Sequence, residues 1–415
     1  MPLINSINPF FDVVLRLPIS TWQPSTGSRS PENDCPFSNW SAQFDFRELF
    51  NKGMESRSWL IIAILVCSVT LSSCRELKVT VKHKHNHKQH DSAKYNHTLA
   101  TILVQYASAV YMSDLTELFA WTCSRCNGLT EGFEILELIV DVKWCLQGFV
   151  GFAANLNAVV IAFRGTQETS IQNWVEDLFW KQLDINYPGV DGAMVHHGFY
   201  NAYNDSSLRP GVLSAVQLAK ELYGDTNIMV TGHSMGGAMA ALCGLDLRLT
   251  LGEQQKVQVM TFGQPRIGNA VFASYYSQVV PDTFRVTHGN DMVPHLPPYY
   301  SYFPQKTYHH FPREVWIRDL AFGSFVYTVE KVCDGSGEDP TCSRSVRGNS
   351  IADHLIYYGV EMGCNESTST CRIVMDRGLA AYGSTDVDGN FVILRDPPKS
   401  VLKLNADGGN RHTLV

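Results

Sequence analysis

A strand, a sharp turn and a helix around one serine constrain this chain more than any other feature. Residues 227–241 read NIMVTGHSMGGAMAA, in which an apolar run leads to Ser234 between Gly232 and Gly236. The apolar run predicts a strand buried on both faces of a sheet. Flanking glycines remove the Cβ atoms that a tight strand-to-helix bend would crowd. The pattern predicts a nucleophile elbow at Ser234, and an ordinary glycine turn is the alternative.

The residues after the serine are small. Gly237 and Ala238 are followed by Ala240 and Ala241, so the predicted helix can lie close to the sheet. The first amide N–H groups of a helix have no partner within the helix and carry partial positive charge. We therefore expect this helix to favour negative charge near Ser234.

Further apolar runs on either side of the elbow predict a sheet. They read ELIVDVKW, GFVGFAA, AVVIAFRG, IMVTG, VQVMTFG, TFRVTHG and HHFPREVWI. Apolar residues recur with helical spacing at 99–119 and 210–223. Strands that alternate with helices predict an α/β fold whose central sheet is mostly parallel and is covered by helices on both faces.

Charge argues against some classes of partner. The chain has 33 basic and 40 acidic residues, a net charge of −7, and no long basic block outside a histidine-rich stretch, so no nucleic-acid partner is expected. That stretch, residues 82–90 with sequence KHKHNHKQH, cannot bury surface and predicts a solvated arm. We expect no metal site in this stretch and no cofactor elsewhere in the chain. We infer no stable protein partner.

The N-terminal region resembles an export signal. A short charged head from Met54, an apolar stretch at 59–71 and small residues up to Cys74 predict a secretory signal peptide, with a membrane anchor through 59–71 as the alternative. We expect Met54 to be the functional start. The predicted organisation is a non-structural extension (1–53), the signal (54–74), a flexible arm (75–98), one domain (99–375) and a C-terminal tail (376–415).

Cysteine usage agrees with export. Three of the 11 cysteines precede residue 75, which leaves eight, an even number that suits an oxidising compartment. Cys333 with Cys342, and Cys364 with Cys371, bracket polar loops that such pairs could close, whereas Cys243 is expected to be a buried free thiol. The C-x-x-C at 123–126 is interpreted as structural. Acceptor sequons for N-glycosylation begin at three asparagines, Asn96, Asn204 and Asn365.

A serine hydroxyl needs a base to take its proton and a carboxylate to orient that base. In α/β hydrolases both partners follow the serine in the order acid, then histidine. Asp291, after the predicted strand TFRVTHG, and His354, in ADHLIYY, fit that order. Other acids and histidines could be rivals for these roles, namely Asp246, His295, His309 and His310. We interpret them as structural side chains, and His233 as a packing residue.

Several motifs together resemble the fungal-type class 3 lipases and their plant relatives. They are VVIAFRGT, SIQNWVEDL, HHGFYNAY, GHSMGGAMA, TFGQPRIGN, RVTHGNDMVPHLPP and DHLIYYG, which occur in the family's order between residues 99 and 358. The resemblance implies an α/β-hydrolase fold with Ser234 as nucleophile, Asp291 as acid and His354 as base. It also implies an oxyanion hole formed by Thr166 and Met235.

The segment at 169–180, TSIQNWVEDLFW, carries an apolar face at helical spacing, formed by Ile171, Trp174, Val175, Leu178 and Phe179. By itself this pattern is typical of a helix packed on the core. In the family, the matching segment is a lid over the active site. We therefore expect a lid that contacts a lipid interface transiently and opens there.

The sequence thus predicts a secreted serine hydrolase that cleaves carboxylic esters of acyl lipids, similar to a triacylglycerol lipase. A feruloyl or other small-ester esterase is one alternative. A lipase-like binding protein without activity is another, although such proteins usually lack a residue of the site. Acyl chain length and head group depend on distant loops and are not predicted.

Overall fold

The computed structural model describes residues 94–166, 175, 178, 185–300, 307–322, 325–363, 375, 379–387 and 390–394. The helices are α1 (His97–Ala109), α2 (Leu115–Phe119), α3 (His197–Asn204), α4 (Leu208–Tyr223), α5 (Met235–Leu251) and α6 (Ala270–Val279). The longer strands are β1 (Glu134–Asp141), β2 (Leu146–Ala153), β3 (Ala158–Phe163), β6 (Asn227–His233), β7 (Val257–Phe262), β9 (Thr283–His288), β11 (Glu314–Phe322), β12 (Phe325–Val332) and β16 (Phe391–Leu394). The short strands are β4 (Ile185–Asn186), β5 (Met194–Val195), β8 (Gly268–Asn269), β10 (Tyr308–His309), β13 (Ile356–Tyr357), β14 (Val360–Glu361) and β15 (Gly383–Thr385).

The main sheet has ten strands in the order β12-β11-β9-β7-β6-β3-β2-β1-β16-β15. Its central strands β3, β6, β7, β9 and β11 are parallel to one another. Antiparallel strands complete both sides of this block. The predicted parallel centre is therefore confirmed, and the strands added at each edge make the whole sheet mixed.

Helices cover both faces of the sheet, as predicted. Along β3, Val159, Ile161 and Phe163 belong to one buried cluster, which includes residues of α3, α4, α5 and α6. The alternate residues Val160 and Ala162 belong to a second cluster, which includes residues of α1 and α2. Because successive side chains of a strand point to opposite faces, an uninterrupted apolar run is what a sheet buried on both faces requires.

The carboxyl ends of the parallel strands meet at one edge of the sheet, which we call the carboxyl edge. The loops that follow β3, β6, β7 and β9 all leave the sheet there. Loops at this edge are where open α/β sheets place ligands. The turn between β1 and β2 lies at the same edge, because Gly148 near the start of β2 pairs with Phe163 at the end of β3.

The sheet extends into residues that the sequence analysis assigned to a C-terminal tail. β16 pairs with β1, and β15 pairs with β16. Ile393 is fully buried in the second cluster. The physical reason is that β1 would otherwise be an exposed edge strand, and the short apolar run FVIL covers it. The ordered unit therefore reaches at least Leu394.

Among the described residues, disulfides join Cys123 to Cys126 and Cys333 to Cys342. Cys243 is a buried free thiol, as predicted, and Cys145 is an exposed one. The suggested pair Cys364 and Cys371 lies outside the described residues. Within the described ranges, no helix is both long and apolar enough to cross a membrane.

Candidate active site

Ser234 occupies a strained bend between a strand and a helix. β6 ends at His233, α5 begins at Met235, and Ser234 between them has φ 57° and ψ −128°. Positive φ is uncommon for a residue with a side chain and is found at sites where the surroundings enforce it. A Cβ at Gly232 would collide with the backbone of Gly236, and a Cβ at Gly236 would collide with the carbonyl of Phe163. Both glycines are therefore required for the bend.

The two predicted oxyanion positions come from two neighbouring elements. Met235 is the first residue of α5, and Thr166 follows the end of β3 by three residues. Thr166 Oγ1 lies 3.8 Å from Met235 Sδ. A Cβ at Gly165, next to Thr166, would lie 3.1 Å from Ser234 Cβ and would collide with the His233 carbonyl. The chain from β3 thus passes directly against the elbow.

Asp291 and His354 form a buried pair at the same edge of the sheet. His354 Nδ1 lies 2.9 Å from Asp291 Oδ2, and both side chains are almost completely buried. Asp291 also accepts hydrogen bonds from the Val293 amide, at 2.8 Å, and from the Tyr357 hydroxyl. An ionised carboxylate only accepts, so Nδ1 of a neutral His354 carries the proton and Nε2 presents a lone pair.

Two atoms of this site are buried without a hydrogen-bond partner among the described residues: Ser234 Oγ and His354 Nε2. Buried polar atoms are normally paired, and unpaired ones are concentrated at places with another role. Catalytic hydrogen bonds are often long or poorly aligned without substrate and shorten when it binds. Within the described part of the chain, Ser234 Oγ and His354 Nε2 are therefore both free of competing partners.

A buried chain of hydrogen bonds links His354 to the segment that carries Thr166. His233 Nε2 lies 2.7 Å from the His354 carbonyl oxygen, and His233 Nδ1 lies 2.8 Å from the Tyr111 hydroxyl. That hydroxyl accepts from the Gly165 amide at 3.1 Å. Since a carbonyl only accepts, Nε2 must carry the proton of a neutral His233 and Tyr111 must donate to Nδ1. Burial, then the nearby His354, lowers the pKa of His233 well below its usual range, in agreement with that neutral form.

Sequence reasoning missed four residues that contact the site. Tyr357 and Gly263 lie in quoted motifs, but their roles need the fold: a Cβ at Gly263 would lie 2.9 Å from both Asp291 Oδ2 and His354 Nδ1. His233 was expected only to pack, and it is buried, but it also bonds through both ring nitrogens. Tyr111, after α1, lies 122 residues before His233, and no local signal marks it.

The rival candidates make other contacts. Asp246, on α5, forms a bidentate ion pair with Arg209 at 2.9 Å. His310 Nε2 lies 2.8 Å from the Pro294 carbonyl, and His309 Nδ1 lies 2.6 Å from the His310 carbonyl. Burial lowers the pKa of His295 and of His310. His295 Nε2 and His310 Nδ1 are buried without a hydrogen-bond partner among the described residues, and the structural role of these rival side chains stays a prediction.

The predicted lid is described only in part. Val175 and Leu178 are buried and belong to the cluster that includes α5. Ile171, Trp174 and Phe179 lie outside the described residues. Two of the five predicted lid residues are thus in contact with the core.

Comparison with known proteins identifies the family. A family model for lipase (class 3) matches residues 160–301. A lipase of Rhizomucor miehei is 33% identical over 246 residues, which cover 59% of this chain and 63% of that protein. Lipase ZK262.3 of Caenorhabditis elegans is 30% identical over 310 residues, which cover 67% of this chain and 85% of that protein.

Solved structures of lipases also resemble this chain. The Rhizomucor miehei triacylglyceride lipase superposes with a TM-score of 0.55 and 30% sequence identity, covering 64% of this chain and 95% of that one. This confirms the α/β-hydrolase fold. The fold, the serine bend and these relatives together show that the chain belongs to the class 3 lipase family.

Proposed function

We propose that this protein hydrolyses carboxylic ester bonds of acyl lipids through an acyl-enzyme on Ser234. His354 Nε2 takes the proton as Ser234 Oγ attacks the ester carbonyl, and then gives it to the departing alcohol. Asp291 holds His354 in the required tautomer and stabilises the imidazolium. Water, activated by the same base, releases the fatty acid.

The observation that carries the proposal is the pairing of Asp291 with His354 Nδ1 at 2.9 Å, while Nε2 and Ser234 Oγ keep no other partner in the described part of the chain. An ordinary glycine turn would not require such an arrangement. Support for an acyl-lipid substrate comes from the Rhizomucor miehei relative, which is a triacylglyceride lipase. Because this chain spans 63% of that relative's curated sequence, its substrate is part of the proposal.

In this proposal, Thr166 and Met235 stabilise the negative charge that develops on the carbonyl oxygen. Donors come from the Met235 amide at the start of α5 and from the amide and hydroxyl of Thr166. Removing one donor of this kind lowers kcat by roughly 10²–10³-fold in other hydrolases. We expect Thr166→Val, which removes only the hydroxyl, to lower kcat more than it raises KM.

The direct test is Ser234→Ala, because removing the nucleophile leaves no group to accept the acyl chain. We expect turnover of p-nitrophenyl butyrate to fall by at least ~10⁴-fold while the melting temperature stays within a few degrees. A fluorophosphonate probe should label wild-type protein at Ser234 and leave the variant unlabelled. Ser274→Ala, on the exposed face of α6, is the matched control and should behave as wild type. Retained esterase activity in pure Ser234→Ala protein would refute the assignment.

Substrate choice separates the alternatives. Triolein, p-nitrophenyl butyrate and methyl ferulate should be hydrolysed in parallel assays by one preparation. Preference for triolein supports a lipase, and preference for methyl ferulate supports a feruloyl esterase. Labelling without turnover of any ester would indicate a binding protein that has kept the fold.

We infer further that residues 169–180 form a lid that opens at a lipid interface. The buried Val175 and Leu178 support a closed position, because exposing such side chains to water is unfavourable and a lipid surface would accept them. Hydrolysis of tributyrin should therefore rise abruptly when the substrate exceeds its solubility. A smooth rise through that limit would contradict the lid.

We also propose export from the cell through the signal at 54–74, a segment outside the described residues. The disulfides Cys123–Cys126 and Cys333–Cys342 support an oxidising compartment. N-terminal sequencing of the secreted protein tests this, and a mature chain that keeps residues 2–53 would refute a start at Met54.

A further inference from the structure

The turn between β1 and β2 exposes apolar side chains at the carboxyl edge. Val142 is 49% and Trp144 is 43% exposed, and Lys143 between them is exposed as well. The neighbouring turn, between β15 and β16, presents Val387 in full exposure. We call Val142, Trp144 and Val387 the apolar tip.

The backbone amides of the first turn are paired within the protein. The amides of Val142 and Lys143 donate to Asn390 Oδ1, at 2.9 and 3.3 Å. The Trp144 amide donates to Asp141 Oδ1 at 2.9 Å, and the amide of Cys145 donates to the Val142 carbonyl at 3.3 Å. All four amides of residues 142–145 are therefore paired without water.

The pairing of these amides matters because unpaired backbone groups each cost several kcal/mol in a segment that leaves water for an apolar medium. An ordinary surface turn has no such need, since water satisfies its amides. Tryptophan is also the side chain most enriched where lipid meets water, because its ring is amphipathic. The turn thus combines paired backbone amides with side chains that suit a lipid surface.

The apolar tip is also close to the candidate active site and faces the same way. Only β2 and β3 separate β1 from β6, so three strand spacings, about 14 Å, separate the turn from the elbow. Arg164 connects the two: its Nη2 donates to the Cys145 carbonyl at 2.8 Å, and it lies two residues before Thr166. A lipid surface presented to Ser234 therefore also reaches Val142 and Trp144.

We propose that the apolar tip docks the enzyme on the surface of its lipid substrate, separately from the lid. This inference rests on the proposed function for its partner, a layer of acyl lipids. Lys143 lies at the level of lipid phosphates when Val142 and Trp144 enter the layer. Asn390 joins the two turns, because its Oδ1 accepts from the first turn while its own amide and side chain donate to the Asp386 carboxylate within the second turn.

The test measures binding and hydrolysis with the full chain. In a Ser234→Ala background, which leaves the lipid intact, Val142→Gln/Trp144→Gln should lower the fraction bound to phosphatidylcholine vesicles in sedimentation by about tenfold. With Ser234 present, the same pair should lower triolein emulsion hydrolysis by a similar factor and leave kcat/KM for dissolved p-nitrophenyl butyrate within twofold. Unchanged vesicle binding would overturn the proposal.

The matched control is Leu222→Gln/Leu249→Gln, which removes two equally exposed apolar side chains near the C-terminal ends of α4 and α5, away from the carboxyl edge. A loss equal to that of the tip variant would show general surface hydrophobicity instead and overturn the proposal. Wild-type protein that hydrolyses no ester at all would contradict the proposed function, whereas vesicle binding would still report on the tip.

A conservative variant gives a spectroscopic readout that does not depend on turnover. Trp144→Phe should bind vesicles within about threefold of wild type and should lose part of the fluorescence quenching caused by brominated phosphatidylcholine. Quenching identical to that of wild type would mean that Trp144 stays in water and would overturn the proposal even if the glutamine variants fail to fold.

Discussion

Single side chains beyond Ser234, Asp291 and His354 support the geometry of the candidate site. We expect Tyr111→Phe to lower the free energy of unfolding by about 2 kcal/mol, because it leaves the Gly165 amide and His233 Nδ1 buried without a partner. Since Gly165 precedes Thr166, we also expect kcat to fall more than KM rises. Urea denaturation and p-nitrophenyl butyrate kinetics measure both effects.

Tyr106→Phe is the control for this prediction. Tyr106 is also buried, but its hydroxyl has no hydrogen-bond partner among the described residues, so its removal costs no bond. We expect that variant to be as stable as wild type or slightly more stable. Equal destabilisation by both substitutions would mean that the hydrogen-bond chain contributes nothing.

Among single residues, the sequence predicted those that a local pattern marks. Ser234 is marked by its glycines, and Asp291 and His354 by chain order and motif. Tyr111 and Tyr357 carry no such mark, because a hydrogen bond between segments more than 60 residues apart depends on the assembled sheet. The chemical roles of Ser234, Asp291 and His354 are predictions, and Ser234→Ala tests the first of them.

At the scale of elements, the contact between α5 and β3 should tolerate almost no added volume. We expect Gly236→Ala to destabilise the protein by at least ~2 kcal/mol and to abolish activity, because the new methyl would meet the carbonyl of Phe163, which cannot yield without moving β3. Gly237→Ala places its methyl 3.2 Å from the Cβ atoms of Gln264 and Thr261 and from the Gly232 carbonyl oxygen, so shifts of a few tenths of an ångström suffice. Thermal denaturation should rank Gly237→Ala much nearer to wild type, and the reverse order would be inconsistent with the packing described.

A second element, β1, carries a buried acid beneath α4. Burial raises the pKa of Glu137 from 4.5 to about 8, and its Oε2 has no partner in the described residues. Between these pH values the folded protein keeps a proton that the unfolded chain releases. The stability that this group provides is therefore full below pH 4.5 and is lost as the pH rises towards 8.

Glu137→Gln removes that titration and keeps the shape of the side chain. Relative to wild type, we expect the variant to gain stability steadily between pH 5 and pH 8, by about 2–4 kcal/mol in all. Urea denaturation at several pH values measures the difference, in which other titrating groups cancel. Parallel stability curves for the two proteins would show that Glu137 is ionised in the folded state.

Helices and strands could be predicted where the apolar pattern is long enough to show its period. The apolar runs of β3, β6, β7 and β9 were found from sequence because both faces are buried. The two-residue strands β4, β5, β8 and β10, which form a separate four-stranded sheet, are too short to show any period. β15 and β16 were missed because β16 pairs with β1, which lies some 250 residues earlier in the chain, and β15 pairs with β16.

At the scale of the whole molecule, one edge of one sheet gathers the features that concern function. The elbow, the Asp291–His354 pair and the apolar tip all lie at the carboxyl edge, although they come from parts of the chain between residues 142 and 387. This convergence follows from parallel strands, whose carboxyl ends necessarily share an edge. The carboxyl edge therefore also depends on β15 and β16, the strands that complete the sheet beyond β1.

The last prediction therefore concerns the C-terminal strands. A chain ending at residue 382 lacks β15 and β16, which uncovers the backbone of β1, removes the buried Ile393 and takes away Asn390, the acceptor for two amides of the β1–β2 turn. We expect it to lose at least ~3 kcal/mol of stability and to associate through the open edge of β1. A chain ending at residue 395 keeps both strands and serves as the control. Thermal denaturation with light scattering compares the two, and equal melting without association would show that the sheet is complete at β1.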